Sequence, residues 1–191
     1  MSNIWLISDT HFNHNRDFIF KPRGFATIDE MNEAIIQRWN EKVAADDIVY
    51  HLGDVIMGEL DSGIKIIKRL KGHIRLAIGN HDTDNRIEAF KPFFDDIQFG
   101  YRIIKKKKVF LLTHYPQITG NYNDFIHTYS IHGHTHAQDC FNENGLMYNV
   151  SCEAQNCTPI LLEDAIQQIR DYGRLCKQAL ITTTVALDKN K

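Results

Sequence analysis

Long apolar runs are missing from this 191-residue chain. A helix needs roughly 20 consecutive apolar residues to cross a bilayer, and no stretch approaches that, so no membrane partner is expected. Cysteine is scarce. Cys140, Cys152, Cys157 and Cys176 form no C-x-x-C pair and fall short of the density of a disulfide scaffold, which points to a reducing, cytoplasmic setting. Charge of one sign is also lacking: 22 basic against 24 acidic residues leave a formal −2. That balance argues against a broad basic surface coating duplex nucleic acid, but it leaves small phosphorylated substrates and local nucleic-acid contacts open. Repeats, low-complexity segments and Pro- or Ser-rich linkers are absent too, so one domain over 1–182 is expected, with 183–191 as a C-terminal tail. Met1-Ser2-Asn3 runs straight into Ile4-Trp5-Leu6-Ile7 without a basic segment or a cleavage site, and no secretory leader is expected.

What the chain does have is histidine, ten in all. Their setting follows from the order of elements. "NIWLIS" (3–8) suits a buried strand and stops at Asp9. In "TIDEMNEAIIQRWNEKV", Thr27 and Glu30 have capping-box spacing while Ile28, Met31, Ile35, Trp39 and Val43 recur at helical intervals. "DIVYHLGD" reads as a second strand, Leu60, Ile64, Ile67 and Leu70 as a helical stripe ending near Gly72, and "HIRLAIGNHD" as a third strand with a polar loop. Later strands are "IQFGYRII", "KVFLLT", "YSIHG" and "LMYNVS", with a closing helix over 161–172. Alternation of strand and helix followed by a strand-rich half predicts an α/β fold, a sandwich of two sheets with helices outside.

Five strand ends carry metal-ligand residue types: Asp9 and His11, Asp54, Asn80 and His81, His114, and His134 and His136. Each has an ordinary reading as a cap or turn. Together they argue for one site, because α/β sheets gather ligands beyond the carboxyl ends of their strands. Carboxylates, an amide oxygen and imidazoles without thiolates suit Mn²⁺, Fe or Zn²⁺ rather than a structural zinc cage. In "SIHGHTHAQ" the strand is expected to break at Gly133, letting His134 and His136 aim differently. His132, His51, His73 and His127 read as satisfied core or supporting histidines. His14, Arg16 and Arg23 read either as phosphate contacts or as solvated surface. "KKKK" (105–108) reads as a solvated hairpin, and "FNENG" (141–145) as a turn.

The ordered set D-x-H, G-D, G-N-H-D, H and G-H-x-H resembles the calcineurin-like metallophosphoesterase family, and "SDTHFNH" with "DDIVYHLGD" is similar to a compact bacterial and phage branch of it. The resemblance implies a four-layer α/β/β/α sandwich and two divalent ions, with Mn ahead of Fe, Zn or Ni. It implies that Asp9, His11 and His136 hold one ion, that Asn80, His114 and His134 hold the other, and that Asp54 bridges them. It also implies in-line attack by a bridging hydroxide, with His81 assisting the leaving oxygen. Asp82 then either orients His81 or caps the turn. Thr113 stands where many relatives have glycine, which affects only the local backbone. The implied substrates are phosphodiesters or small phosphorylated metabolites, with a nuclease acting on DNA or RNA as the alternative and a non-catalytic interaction module behind it. Oligomeric state is left open.

Overall fold

The run Ile4-Trp5-Leu6-Ile7 forms strand β1 (Ile4–Ile7) in the computed structural model, which describes residues 2–117, 128–141 and 146–188. Successive side chains of a strand face opposite ways. Both faces are covered here, since Trp5 and Ile7 enter one apolar cluster and Leu6 another. Such double burial is why the segment reads as continuously apolar rather than alternating.

After a short helix α1 (Asp17–Phe20), Thr27 caps α2 (Ile28–Lys42) by accepting the Glu30 backbone N–H at 3.1 Å, as the capping-box spacing predicts. Strand β2 (Ile48–His51), helix α3 (Leu60–Ile67), strand β3 (His73–Ala77), helix α4 (Asp84–Phe90) and strand β4 (Asp96–Gln98) follow in alternation. The four strands pair in parallel in the order β4-β3-β2-β1. Because that order runs one way, right-handed crossovers put the intervening helices on one face. There Met31, Ile35 and Trp39 of α2, Ile66 and Ile67 of α3 and Phe90 of α4 pack on Trp5, Ile7, Val49, Ile74 and Leu76.

"IQFGYRII" is not one strand. It divides into β4 in the first sheet and β5 (Gly100–Lys105) in the second, with Phe99 exposed at the crossing. Alternation reports an extended chain but not which neighbour it pairs with, and the change of sheet is a long-range choice. Strands β5 and β6 (Lys108–Thr113) form a hairpin with Lys105 opposite Lys108. Its turn residues, Lys106 and Lys107, have φ of 50° and 63°, the left-handed pair that a two-residue hairpin loop requires. The lysine run is therefore a hairpin tip, as expected. Strands β7 (Thr128–His132) and β8 (Met147–Asn149) continue the second sheet in parallel.

Strand β9 (Ile160–Leu161) returns antiparallel to β1, and α5 (Leu162–Asp188) follows. This helix outruns the expected 161–172 and extends into the stretch read as a tail; residues 189–191, His127 and 142–145 of the "FNENG" turn lie outside the described residues. Leu162, Ala165, Ile166 and Ile169 of α5 join Leu6, Tyr50, Leu52, Phe110, Leu112, Ile131 and Tyr148 in the core between the sheets. Each buried Leu, Ile or Phe there contributes about 1.5–3 kcal/mol. The architecture is thus two mixed sheets flanked by helices, as the sequence predicts. Among the described residues no helix is long and apolar enough to cross a membrane.

One contact fixes how the sheets meet. Ser8, just past β1, bridges in parallel to Ser151, just past β8, and its N–H donates to the Val150 carbonyl at 3.0 Å. The carboxyl ends of β1, β2, β3, β6, β7 and β8 consequently face a common edge.

Candidate metal centre

At that edge the five strand ends converge. Asp9 and His11 follow β1, Asp54 follows β2, Asn80 follows β3, His114 follows β6, and His134 and His136 follow β7. Two overlapping groups able to hold a metal ion result, Asp9 with His11 and His136, and Asp9 with Asp54 and His114. The backbone is bent to make them: Asp9, His11, Asp54, His134 and His136 have φ of 55°, 47°, 59°, 68° and 50°. L-residues avoid this left-handed region, and when they cluster in it the surrounding structure is holding them there for a use. Regular strand geometry would have sent these side chains elsewhere.

Two glycines let the loops close. A Cβ at Gly133 would collide with the Ser8 hydroxyl and the Asp9 carboxylate, and one at Gly79 would collide with the Asp54 carboxylate. The break at Gly133 does separate the aims of the two histidines, as expected. His136 Nε2 lies 3.2 Å from His11 Nε2 and 3.6 Å from Asp9 Oδ1, whereas His134 Nδ1 lies 3.1 Å from His114 Nε2 and 2.9 Å from Asn80 Oδ1. Asp54 stands between, its Oδ2 at 3.6 Å from both His11 Nε2 and His114 Nε2. Its Oδ1 accepts the His81 backbone N–H at 2.8 Å.

The donors themselves show that cations fit. Asp9 Oδ1 is buried and accepts no hydrogen bond, and it faces the Nε2 atoms of His11 and His136 at 3.8 and 3.6 Å. Such an arrangement is costly unless positive charge lies among the atoms. Burial pushes the Asp9 carboxyl up to about 6, against the pull of His114 and His136. Burial, aided by Arg23 and His136, holds His11 far below its usual range and so keeps it a neutral donor. His114 has its tautomer set by Nδ1 donating to the Leu52 carbonyl at 2.8 Å, which leaves the Nε2 lone pair facing the site.

His136 is set in the same way by a residue the sequence reading missed. Its Nδ1 donates to Glu153 Oε1 at 3.0 Å, and Arg23 pairs with that same oxygen at 2.7 Å. Burial works against ionising Glu153, but His136 and Arg23 outweigh it and hold the carboxyl down at about 2. The available signal was an acid two residues beyond the Ser151 bridge, at the same edge as the other clusters.

The other predicted residues divide. Arg23 is not open to substrate: its side chain is 1% exposed, and besides Glu153 it donates to the Asp9 and Thr10 carbonyls at 2.8 and 3.1 Å. Asp82 does not orient the His81 ring either. Its carboxylate accepts the backbone N–H groups of Asp54, Val55 and Gly79, so it is the turn-capping alternative that the structure supports. The His81 ring is half-buried, 5.5 Å from that of His11, and the His14 ring lies 5.4 Å from His11. Arg16 is exposed just before α1. His51 and His132 are buried, with ring nitrogens on the Thr10 hydroxyl and the Gly133 carbonyl respectively. His73 is neither core nor support but a surface residue paired with Asp95, because it opens β3 at the edge remote from the site.

Comparison with known proteins places the chain in a family. The calcineurin-like phosphoesterase superfamily domain matches residues 2–157. An uncharacterized protein of Methanocaldococcus jannaschii is 34% identical over 187 residues, covering 93% of this chain and 96% of its own. The gene 66 protein of Mycobacterium phage L5 is 28% identical over 165 residues, covering 72% and 79%. A solved structure of a protein of unknown function from Aquifex aeolicus superposes with a TM-score of 0.67 at 28% identity, over 88% of this chain and all of that one. With the family match spanning four-fifths of the sequence and enclosing every candidate ligand, the chain belongs to the calcineurin-like phosphoesterase superfamily.

Proposed function

We propose that this protein is a dinuclear metal-dependent phosphoesterase acting on phosphodiesters or on small phosphorylated metabolites. The observation that carries the reading is Asp54, whose Oδ2 is equidistant, at 3.6 Å, from a histidine of each ligand group. Asp9, His11 and His136 would hold one ion, and Asn80, His114 and His134 the other, with Asp54 shared. Bound there, two divalent cations would neutralise phosphoryl oxygens and lower the pKa of a water between them. Mn²⁺ is favoured, with Fe, Zn²⁺ or Ni²⁺ as alternatives, by the mixture of carboxylate, amide and imidazole donors.

The chain's own groups do the rest. His81, anchored through its N–H to Asp54, would protonate or stabilise the departing oxygen. Asp82 holds the Asp54 and Gly79 loops together through backbone amides. Arg23 and Glu153 act as positioning residues, fixing the His136 tautomer and the Asp9 backbone. His14 and Arg16 remain the candidates for contacts to substrate phosphate. The free, buried thiols of Cys152 and Cys157 suit a reducing, cytoplasmic setting. A four-lysine run confined to a hairpin tip offers little for a nucleic-acid strand, so small esters are favoured over DNA or RNA.

The test is elemental analysis and turnover of protein purified without chelator, assayed on mono- and diesters, cyclic nucleotides and oligonucleotides. Two ions per chain and chelator-sensitive, Mn²⁺-restored hydrolysis are expected. Asp54→Asn should lose both ions and about 10³-fold in turnover. Full activity without metal would overturn the reading.

A further inference from the structure

Two aromatic rings near the metal centre take no part in either core cluster. Phe99, at the crossing between the sheets, is 85% exposed, and Tyr115, next to His114, is 47% exposed. Leaving a Phe this open gains the fold nothing, since burial is what makes an aromatic ring stabilising. The two rings line one cavity of about 310 Å³, together with Ile78, Gly79 and His114. That volume is at the small end of ligand sites, enough for one ring system.

The cavity continues into the metal centre. His114 and Gly79 wall both, and the Tyr115 ring lies edge-on to His114 at 5.1 Å and tilted over His134 at 4.6 Å between centroids. Tyr115 is also held in place. Its carbonyl accepts the Thr113 hydroxyl at 2.7 Å and the Gln117 amide at 3.2 Å, and the Gln117 N–H donates to Ser130 at 3.0 Å. Among the described residues no Asp, Glu, Lys or Arg lines the cavity, whose polar side chains are Thr113, His114 and Gln117, so an occupant there meets two aromatic rings without a formal counter-charge.

We infer that this cavity receives a neutral aromatic group, an aryl ring or nucleobase, esterified to the phosphate held at the metal centre. The inference rests on the proposed phosphoesterase reading and adds the substrate class. Stacking on Phe99 and Tyr115 supplies the burial that the fold leaves unused, and the shared His114 wall sets the reach from ring to phosphorus at a few bonds.

Phenylphosphonate and methylphosphonate provide the test, because both present the same anionic head and neither can be hydrolysed. Binding to Mn²⁺-replete protein is measured by calorimetry. The phenyl compound should bind about tenfold more tightly, as expected for stacking on an aromatic ring. In Phe99→Ala the ratio of the two affinities should fall toward one, and Phe99→Trp should restore it. Tyr115→Leu should reduce the ratio independently. Equal affinities in the unmodified protein, or a ratio unchanged in both Phe99→Ala and Tyr115→Leu, would overturn the inference while leaving the metal-centre reading intact. Failure of both phosphonates to bind would remove that reading, and the inference with it.

Discussion

The two halves of the candidate metal centre are built differently. Around Asp9, His11 and His136 the donors are buried or half-buried, and Glu153 and Arg23 brace them from behind. Around His114 the other donors, Asn80 and His134, are exposed, and the neighbouring wall is the aromatic cavity. On the proposed dinuclear reading the difference divides the work: the desolvated, braced half would keep an ion in place, while the open half would let substrate and water exchange. Burial makes the first half depend on every donor, because no solvent can substitute for one that is lost.

Removing one ligand from each half is the harshest way to break the comparison. His11→Ala should cost one ion and about 10³-fold in turnover, whereas His134→Ala, whose place a water can take, should cost about tenfold less. Ion counts and single-turnover rates on the two variants decide it; equal losses would erase the distinction. His81→Ala sharpens the contrast from another side. It should keep both ions yet lose about 10²-fold on esters with poor leaving groups, and the deficit should shrink with activated aryl esters. A missing ion in this variant would make His81 a ligand instead.

The smallest expected effect concerns the brace. Glu153→Ala should weaken retention of one ion about 10- to 100-fold, the range for losing the partner of a metal-bound histidine. Chelator competition, reading the two ions separately, should show the open half unchanged, and Glu153→Gln, which can still accept from His136, should fall between. Equal weakening of both ions would mean that Glu153 only supports the fold.

These contrasts also show what a sequence can carry. The convergence of Asp9, His11, Asp54, Asn80, His114, His134 and His136 on one edge was legible because few residue types ligate metals and the α/β topology gathers strand ends. Helix α2 was visible because its cap and its stripe are local. Glu153 was not, since a single acid after a strand has many uses and its partner, His136, is met only when β8 lies beside β7. Arg23 resists reading for a related reason: an Arg in a loop gives no sign that Glu153, the Met31 sulfur and the Asp9 and Thr10 carbonyls will enclose it. Asp82 kept two readings until the amides of the Asp54 loop were seen to fill its carboxylate. The division of "IQFGYRII" was hidden because alternation is blind to sheet membership.

The bridge from Ser8 to Ser151 has a consequence for the life of the chain. Donors from positions 9 to 136 become neighbours only after β1 has found β8, so a growing polypeptide offers no finished ion site until nearly all of the domain has been made. Loading therefore follows folding in time. An ion that binds only the folded chain adds stability in proportion to the logarithm of its concentration over its dissociation constant, so it rewards correctly docked sheets and gives nothing to a chain that has folded only one of them. In a cell short of metal, the expected shortfall is in abundance as well as in turnover, because chains that never load stay closer to the unfolding threshold at which proteases act.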